Sequence, residues 1–274
     1  MKNKWIAYPY IIWMLIFIIV PILLILSYSI TYKDEAGLNF TLEHFKRFFD
    51  PLYIGVLKHS INLALISTFI CLVLGYPMAV IISRASAKYR NILILFFVIP
   101  MWMNFLLRTY SWMALLERSG LINKFLSFFN LPTLNLIYNN GAVILGMVYN
   151  FLPFMVLPIY SVLIKIDKSL VEAAQDLGAS ELEVFLKITL PLSLPGVYSG
   201  FIMVFMPAIT TFVISRLLGG GQFTLIGNLI EQQFLSSGDW NFGSAISMLM
   251  LILILVSSMV MGKYDKNKEG VGLW

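Results

Sequence analysis

Cysteine and histidine are nearly missing from this chain: Cys71 stands alone inside an apolar run, and the histidines are His44 and His59. One thiol builds neither a disulfide framework nor a cysteine metal site, and two histidines without helical ligand spacing read as ordinary loop residues. Charge is scarce too. Only 12% of the 274 residues are charged and 59% are apolar, against about 25% and 45–50% in soluble domains, which excludes a water-soluble globule. The chain has no G-x-x-x-x-G-K-[ST] cradle for a nucleotide; the nearest trace, Gly262-Lys263, is followed by Tyr264 and has Ser257 where the leading glycine belongs. No aspartate or glutamate lies well inside an apolar run, so this chain alone builds no strong buried cation site. No intramembrane histidine, carboxylate pair or Ser-Lys set is present to make it an enzyme. The net charge of +5 is dispersed over short loops rather than gathered on a patch, which argues against a nucleic-acid partner.

What is abundant is apolar length. A membrane-crossing helix needs about 20 predominantly apolar residues, and six stretches approach or reach this: 10–30, 61–82, 92–116, 142–164, 195–218 and 244–261. The expected fold is therefore all-α, a polytopic membrane protein of about six transmembrane helices forming a single domain over 1–274. The first stretch follows Lys2 and Lys4 like a signal peptide, but its core exceeds the usual 7–15 residues and no small-x-small site follows before Tyr32, so it reads as an uncleaved span. With both termini inside, Lys2, Lys4, Arg84, Lys88, Arg90, Lys165, Lys168, Lys187, Lys263, Lys266 and Lys268 fall in cytoplasmic pieces, eleven of the 19 basic residues. The outer segments are longer and offset their lysines and arginines with acids such as Asp34, Glu35, Glu43 and Asp50, which favours this orientation in the lipid bilayer. Outer segments 41–49 and 119–129 pattern as short helices, either lying on the interface or touching a soluble partner.

The most polar stretch of the C-terminal half, 165–191, reads as two short helices. Asp167 is an N-cap, Gly178 supplies a left-handed C-terminal residue, Ser180 with Glu183 forms a capping box, and Pro191 is expected to stop the second helix. Ala173 and Ala174 beside Leu170, Val171 and Leu177 leave a shallow face suited to docking. Leu182, Phe185, Leu186 and Ile188 give a stickier face for the protein's own bundle. Pattern alone is equally compatible with an interfacial connector.

Glu172-Ala173-Ala174, Gly178-Ala179, Phe185, Ile188, Leu190-Pro191 and Pro195-Gly196 resemble, at the right spacings, the EAA signature of ABC importer permeases. The resemblance implies that this segment is a coupling helix seated on a separate ATPase, with Glu172, Ala173, Ala174, Asp176 and Gly178 as the coupling residues. It implies a second homologous permease, a dimeric ATPase that binds ATP and magnesium, an extracytoplasmic binding protein, and a bacterial cell membrane; this chain itself holds no cofactor. Val98 to Trp102, Arg108-Thr-Tyr110, Pro153 to Pro158, Pro207-Ala208, Leu225 to Asn228 and Asp239 to Gly243 look like PotB-type permeases of spermidine/putrescine importers. That implies alternating-access transport of a polyamine, recognised by aromatic faces and carboxylates. The same importer class with another solute stays open. A secondary transporter or channel is the other alternative, and it calls for coupling-ion residues or inverted repeats, neither of which is visible.

On this reading Trp102, Leu106 and Tyr110 share one face of the third span, while Tyr149, Asn150 and Phe154 in the fourth complete a candidate substrate pathway. Pro153, Pro158 and Pro207 free the carbonyls of Tyr149, Phe154 and Met203, as hinges and cation acceptors or as static kinks. Glu117, Glu231 and Asp239 are candidates for an outer vestibule. Arg108 is the sole clear intramembrane charge and is expected to pair structurally, with Glu117 or with the partner permease.

Overall fold

In hydrocarbon, every backbone N–H and C=O needs a partner within the protein, so a chain this apolar is driven into helices. A computed structural model describes residues 8–34 and 37–266, and among these nearly everything apolar is helical. Lys2, Lys4, Glu35 and Lys268 lie outside the described residues. The elements are α1 (Tyr8–Ile30), a small antiparallel hairpin of β1 (Thr31–Asp34) and β2 (Gly37–Phe40), α2 (Glu43–Phe48), α3 (Pro51–Arg84), α4 (Ala87–Trp102) and α5 (Phe105–Leu116). They continue with α6 (Leu121–Phe128), α7 (Asn140–Leu163), α8 (Lys168–Asp176), α9 (Glu181–Thr210), α10 (Val213–Gly219), α11 (Ile226–Gln232) and α12 (Trp240–Lys266). By length and composition α1, α3, α7, α9 and α12 can each cross a membrane, and α4 with the helices after it counts as a sixth span only if a 93° bend is accepted.

That bend corrects the expectation of one helix over 92–116. Pro100 sits near the end of α4, Met103 is extended, and the Asn104 side chain accepts from the amides of Leu106 (2.8 Å) and Leu107 (3.4 Å), starting a new helix in a new direction. Trp102 and Tyr110 are thus on different helices, and their i, i+8 face does not exist. The fifth expected span also shifts. It begins at Glu181 rather than 195 and ends at Thr210, after which α10 forms separately.

Pro191 does not stop the second coupling helix. Residues Phe185–Thr189 adopt a π-turn in which the Leu190 amide donates to the Phe185 carbonyl five residues back, and α9 runs on. A proline lacks N–H and its ring collides with the carbonyl four residues earlier; the wider turn just before it absorbs both effects. The same device recurs in α1, where Val20 N–H reaches Leu15 and Pro21 follows. Pro153 and Pro158 likewise leave α7 unbroken.

The core is the three-way packing of α3, α7 and α9, flanked by α10 on one side and by α1 with α12 on the other. Lipid supplies no hydrophobic push between helices, so close backbone approach and a few hydrogen bonds hold them. A Cβ on Gly75 would lie 3.1 Å from Met155 Cγ, one on Gly200 2.8 Å from Met155 Sδ, and one on Gly196 2.9 Å from both Ile159 Cα and Pro158 O. Between α3 and α9 the Tyr76 hydroxyl meets Ser193 Oγ at 2.7 Å, both buried.

Gly196 faces backbone rather than a flexible side chain, so Gly196→Ala forces α9 off α7. We expect a loss of about 1–3 kcal/mol, read as a lower thermal unfolding midpoint of the purified protein in detergent. An unchanged midpoint would show that the two backbones are not in contact.

Candidate functional site

The coupling stretch folds as its local signals dictate. Asp167 accepts from Ser169 N (3.0 Å) to start α8, Gly178 takes φ +83° to end it, and Ser180 and Glu183 exchange both bonds of a capping box to start α9. Lys187 adds a 3.1 Å ion pair to Glu183. Its packing differs from the expectation in part. Val184 is buried and Phe185 stands edge-on to Tyr76 at 5.8 Å, whereas Leu182 and Leu186 remain exposed. On α8 the residues Leu170, Ala173 and Leu177 form an outward stripe at i, i+3, i+7, with Leu177 89% exposed at the tip.

The opposite face of α8 closes a cavity of about 490 Å³ against the end of α3 and the start of α4. Val171, Glu172 and Gln175 line it with Arg84, Arg90, Lys168 and Glu181. Of the expected coupling residues, Glu172, Ala173, Asp176 and Gly178 are exposed, Glu172 at the rim of this cavity, and Ala174 is half-buried. Arg90 donates to Ala85 O at 3.3 Å through Nη2 and leaves Nε buried without a partner. The arginines of the α3–α4 corner were assigned only to topology by the sequence; that they line one cavity with Glu172 is a tertiary product.

The expected pathway residues separate. Trp102 is 79% exposed, while Tyr110, Tyr149 and Phe154 are exposed to lesser degrees; Tyr149 stands edge-on to Trp112 at 5.3 Å. Asn150 points the other way, 2% exposed, donating to Gly146 O at 2.8 Å and leaving Oδ1 buried and unpaired. Arg108 is 8% exposed with Nε unpartnered. No ion pair joins it to Glu117 among the described residues, which corrects that part of the expectation. Glu117 instead ends α5, its carbonyl accepting from Gly120 N and Asn123 Nδ2.

The three expected vestibule carboxylates do not gather either. Glu117 borders a hollow with Arg118 and Asn135, and Glu231 lies 2.8 Å from Arg216 Nη2, at angles outside hydrogen-bonding geometry. Asp239 Oδ2 is 2.8 Å from Arg47 Nη1 while its Oδ1 accepts from Phe242 N at 3.0 Å. Arg47 also lies over the Phe242 ring at 4.1 Å and the Tyr53 ring at 5.9 Å. Partial burial pulls its pKa down, and the bonds to Tyr53 and Asp239 more than reverse this, leaving it above its ordinary value. Residues 192 apart carry no local signal of such a pairing.

The architecture is that of a multi-span helical bundle with a capped helical knob inserted between α7 and α9. The chain belongs to the family of binding-protein-dependent transport system inner membrane components, which matches over residues 1–267. It is 42% identical over 247 residues to the spermidine/putrescine transport system permease protein PotB of Escherichia coli (strain K12), covering 88% of this chain and 90% of that one. The protein of that name from Haemophilus influenzae is 40% identical over 263 residues, 93% of this chain and 91% of the relative. The fold is similar to a chain of a bacterial ABC transporter that imports the acidic polysaccharide alginate, with TM-score 0.81, 19% identity and 97% of each chain covered. The MetNI methionine ABC transporter in inward-facing conformations is also similar, with TM-score 0.59, 18% identity, and 79% of this chain and 95% of that one covered.

Two consequences of the caps are measurable. Backbone bonds from Ser169 and Ser180 hold the Asp167 and Glu183 carboxyls below their ordinary values of 3.8 and 4.5, with Lys187 a further cause at Glu183. Depressed carboxyls stabilise above those ordinary values and cease to do so as pH falls through the lower folded ones. Amide-exchange protection at Ser169 and Ser180, whose N–H groups donate to these two carboxylates, corrected for intrinsic rates, should therefore drop below about pH 4.5 and be flat above it. Separately, Gly178→Ala puts a Cβ at positive φ and costs about 1–2 kcal/mol; exchange across 168–184 should speed up roughly tenfold. Equal protection in the variant would show the turn is not left-handed.

Proposed function

We propose that this chain is the translocating subunit of an ATP-driven importer that moves polyamines such as spermidine and putrescine across a bacterial cell membrane by alternating access. The observation that carries the ATP-driven part is the α7–α8–α9 hairpin. It is capped at both helix starts, presents Leu170, Ala173 and Leu177 outward, and joins two helices too closely packed to move independently. Glu172, Ala173, Ala174, Asp176 and Gly178 form the contact with a separate ATPase dimer, which binds the ATP and magnesium. Arg84, Lys88, Arg90, Lys165, Lys168 and Lys187 favour a cytoplasmic hairpin and, with it, both termini inside.

The polyamine cargo is supported by the 40–42% identity to spermidine/putrescine permeases along about nine tenths of each chain. Trp102, Tyr110, Tyr149 and Phe154 offer aromatic faces to an alkylammonium, Asn150 offers an unused carbonyl oxygen, and Glu117, Glu231 and Asp239 lie toward the outer face. A second homologous permease completes the path and supplies the carboxylate for Arg108, since a buried guanidinium without a counter-charge is costly. An extracytoplasmic polyamine-binding protein delivers the cargo. The whole of 1–274 acts as one transmembrane domain, with 165–191 as its coupling element.

The test is uptake of labelled spermidine and putrescine by the complete importer in proteoliposomes. Leu177→Asp and Glu172→Lys should leave the chain inserted yet lower uptake at least tenfold, with less ATPase recovered on a tagged permease. Full uptake and full ATPase recovery in both variants would sink the docking claim. ATP-dependent uptake of some other solute, with none of either polyamine, would sink the cargo.

A further inference from the structure

From the cluster around Asp239, on the basis of the polyamine reading above, we infer a cation-binding box now filled by the protein's own Arg47, which an ammonium group of the cargo displaces. The box has three walls. Asp239 Oδ2 takes the charge at 2.8 Å, Phe242 lies 4.1 Å beneath the guanidinium carbon, and Tyr53 stands edge-on to Phe242 at 4.9 Å, 5.9 Å from the same carbon. A carboxylate with two ring faces is the chemistry that holds an alkylammonium. Arg47 bonds to these walls, its Nη2 donating to the Tyr53 hydroxyl at 3.5 Å, yet each is anchored apart from it. Asp239 is fixed by its Oδ1 bond to Phe242 N at the start of α12, Phe242 is wholly buried, and Tyr53 belongs to α3.

The occupant is the loose member. Arg47 sits on the six-residue α2, and its side chain keeps 46% of its surface exposed and Asp239 31%, so solvent reaches the pair from outside. Ion pairs that solvent reaches are weak, which makes exchange of one cation for another feasible. The box lies at the start of α3, a 34-residue helix. The coupling cavity is at that helix's other end, roughly 50 Å away at 1.5 Å per residue. Cargo arriving at the face opposite the ATPase would meet this box first, and releasing Arg47 would free α2 from α12.

The experiment is equilibrium dialysis of labelled spermidine against the purified membrane complex in nanodiscs of zwitterionic lipid, which does not itself bind the polycation. Arg47→Gln should tighten spermidine binding at least threefold, and Arg47→Lys should stay within twofold of wild type because a tethered cation remains. Adding Asp239→Asn, which keeps the cap, should cancel the gain. Unchanged binding in Arg47→Gln, or equal tightening with Asp239→Asn present, overturns the inference. If Arg47→Gln does not fold, Tyr53→Leu must weaken binding at least threefold, and unchanged binding there overturns it too. Wild-type uptake of polyamine by the same purified complex in proteoliposomes separates the two failures: with uptake intact only the box is wrong, and with none the cargo is wrong and the box falls with it.

Discussion

The contact on which the rest of the molecule depends is the seating of α9 on α7 at Gly196 and Gly200. With an α-carbon and a carbonyl of α7 2.9 Å from where a Cβ on Gly196 would stand, the two helices touch backbone to backbone. Interfaces of this kind are shape-locked, because dispersion over a close approach falls steeply with a small gap. α3 completes the arrangement through Gly75 and the Tyr76–Ser193 bond. The hairpin leaves the bundle at Leu163 and returns at Glu181, at the ends of this locked pair. A push on α8 is therefore a push on both helices together.

Rigidity within the hairpin comes from a different source. Three side chains, Asp167, Ser180 and Glu183, satisfy amides that would otherwise be orphaned at two helix starts, and Gly178 supplies the one backbone conformation that a compact turn between them needs. The π-turn at Phe185–Thr189 then lets the helix pass Pro191 without a break, so α9 is continuous from knob to bundle. A helix that stopped at Pro191 would have put a flexible joint between hairpin and core.

Charge is placed mostly at the ends of the bundle, and part of it is paired there. Arg47 with Asp239 and Arg216 with Glu231 pair at one end, while Arg84, Arg90, Lys168, Glu172 and Glu181 surround the cavity at the other. Arg108 is the exception, a buried cation with no counter-charge among the described residues. Fixed charges at the ends cost little, since water and headgroups reach them, whereas a charge at depth has to be answered by a protein group.

The caps and the glycine turn within 167–183 were legible in the sequence because such features are decided within four residues of chain, whereas the continuation past Pro191 was not; apolar length announced the spans except where 92–116 breaks. Even the break at Met103 left a local trace, Asn104 poised as an N-cap, which the apolar run around it outweighed. What sequence could not reveal was everything brought together across distance: Arg47 bonded to Asp239, Glu172 lining one cavity with the arginines of the α3–α4 corner, and the division of Asn150 from Tyr149 between core and surface. The sequence by itself determined that this is a multi-span helical permease with a capped knob, since composition and short-range hydrogen bonding settle both. Only the tertiary structure decided how the helices that the knob joins pack and which carboxylates already have a cation, because those depend on side chains that meet only once glycine-lined helices close on one another.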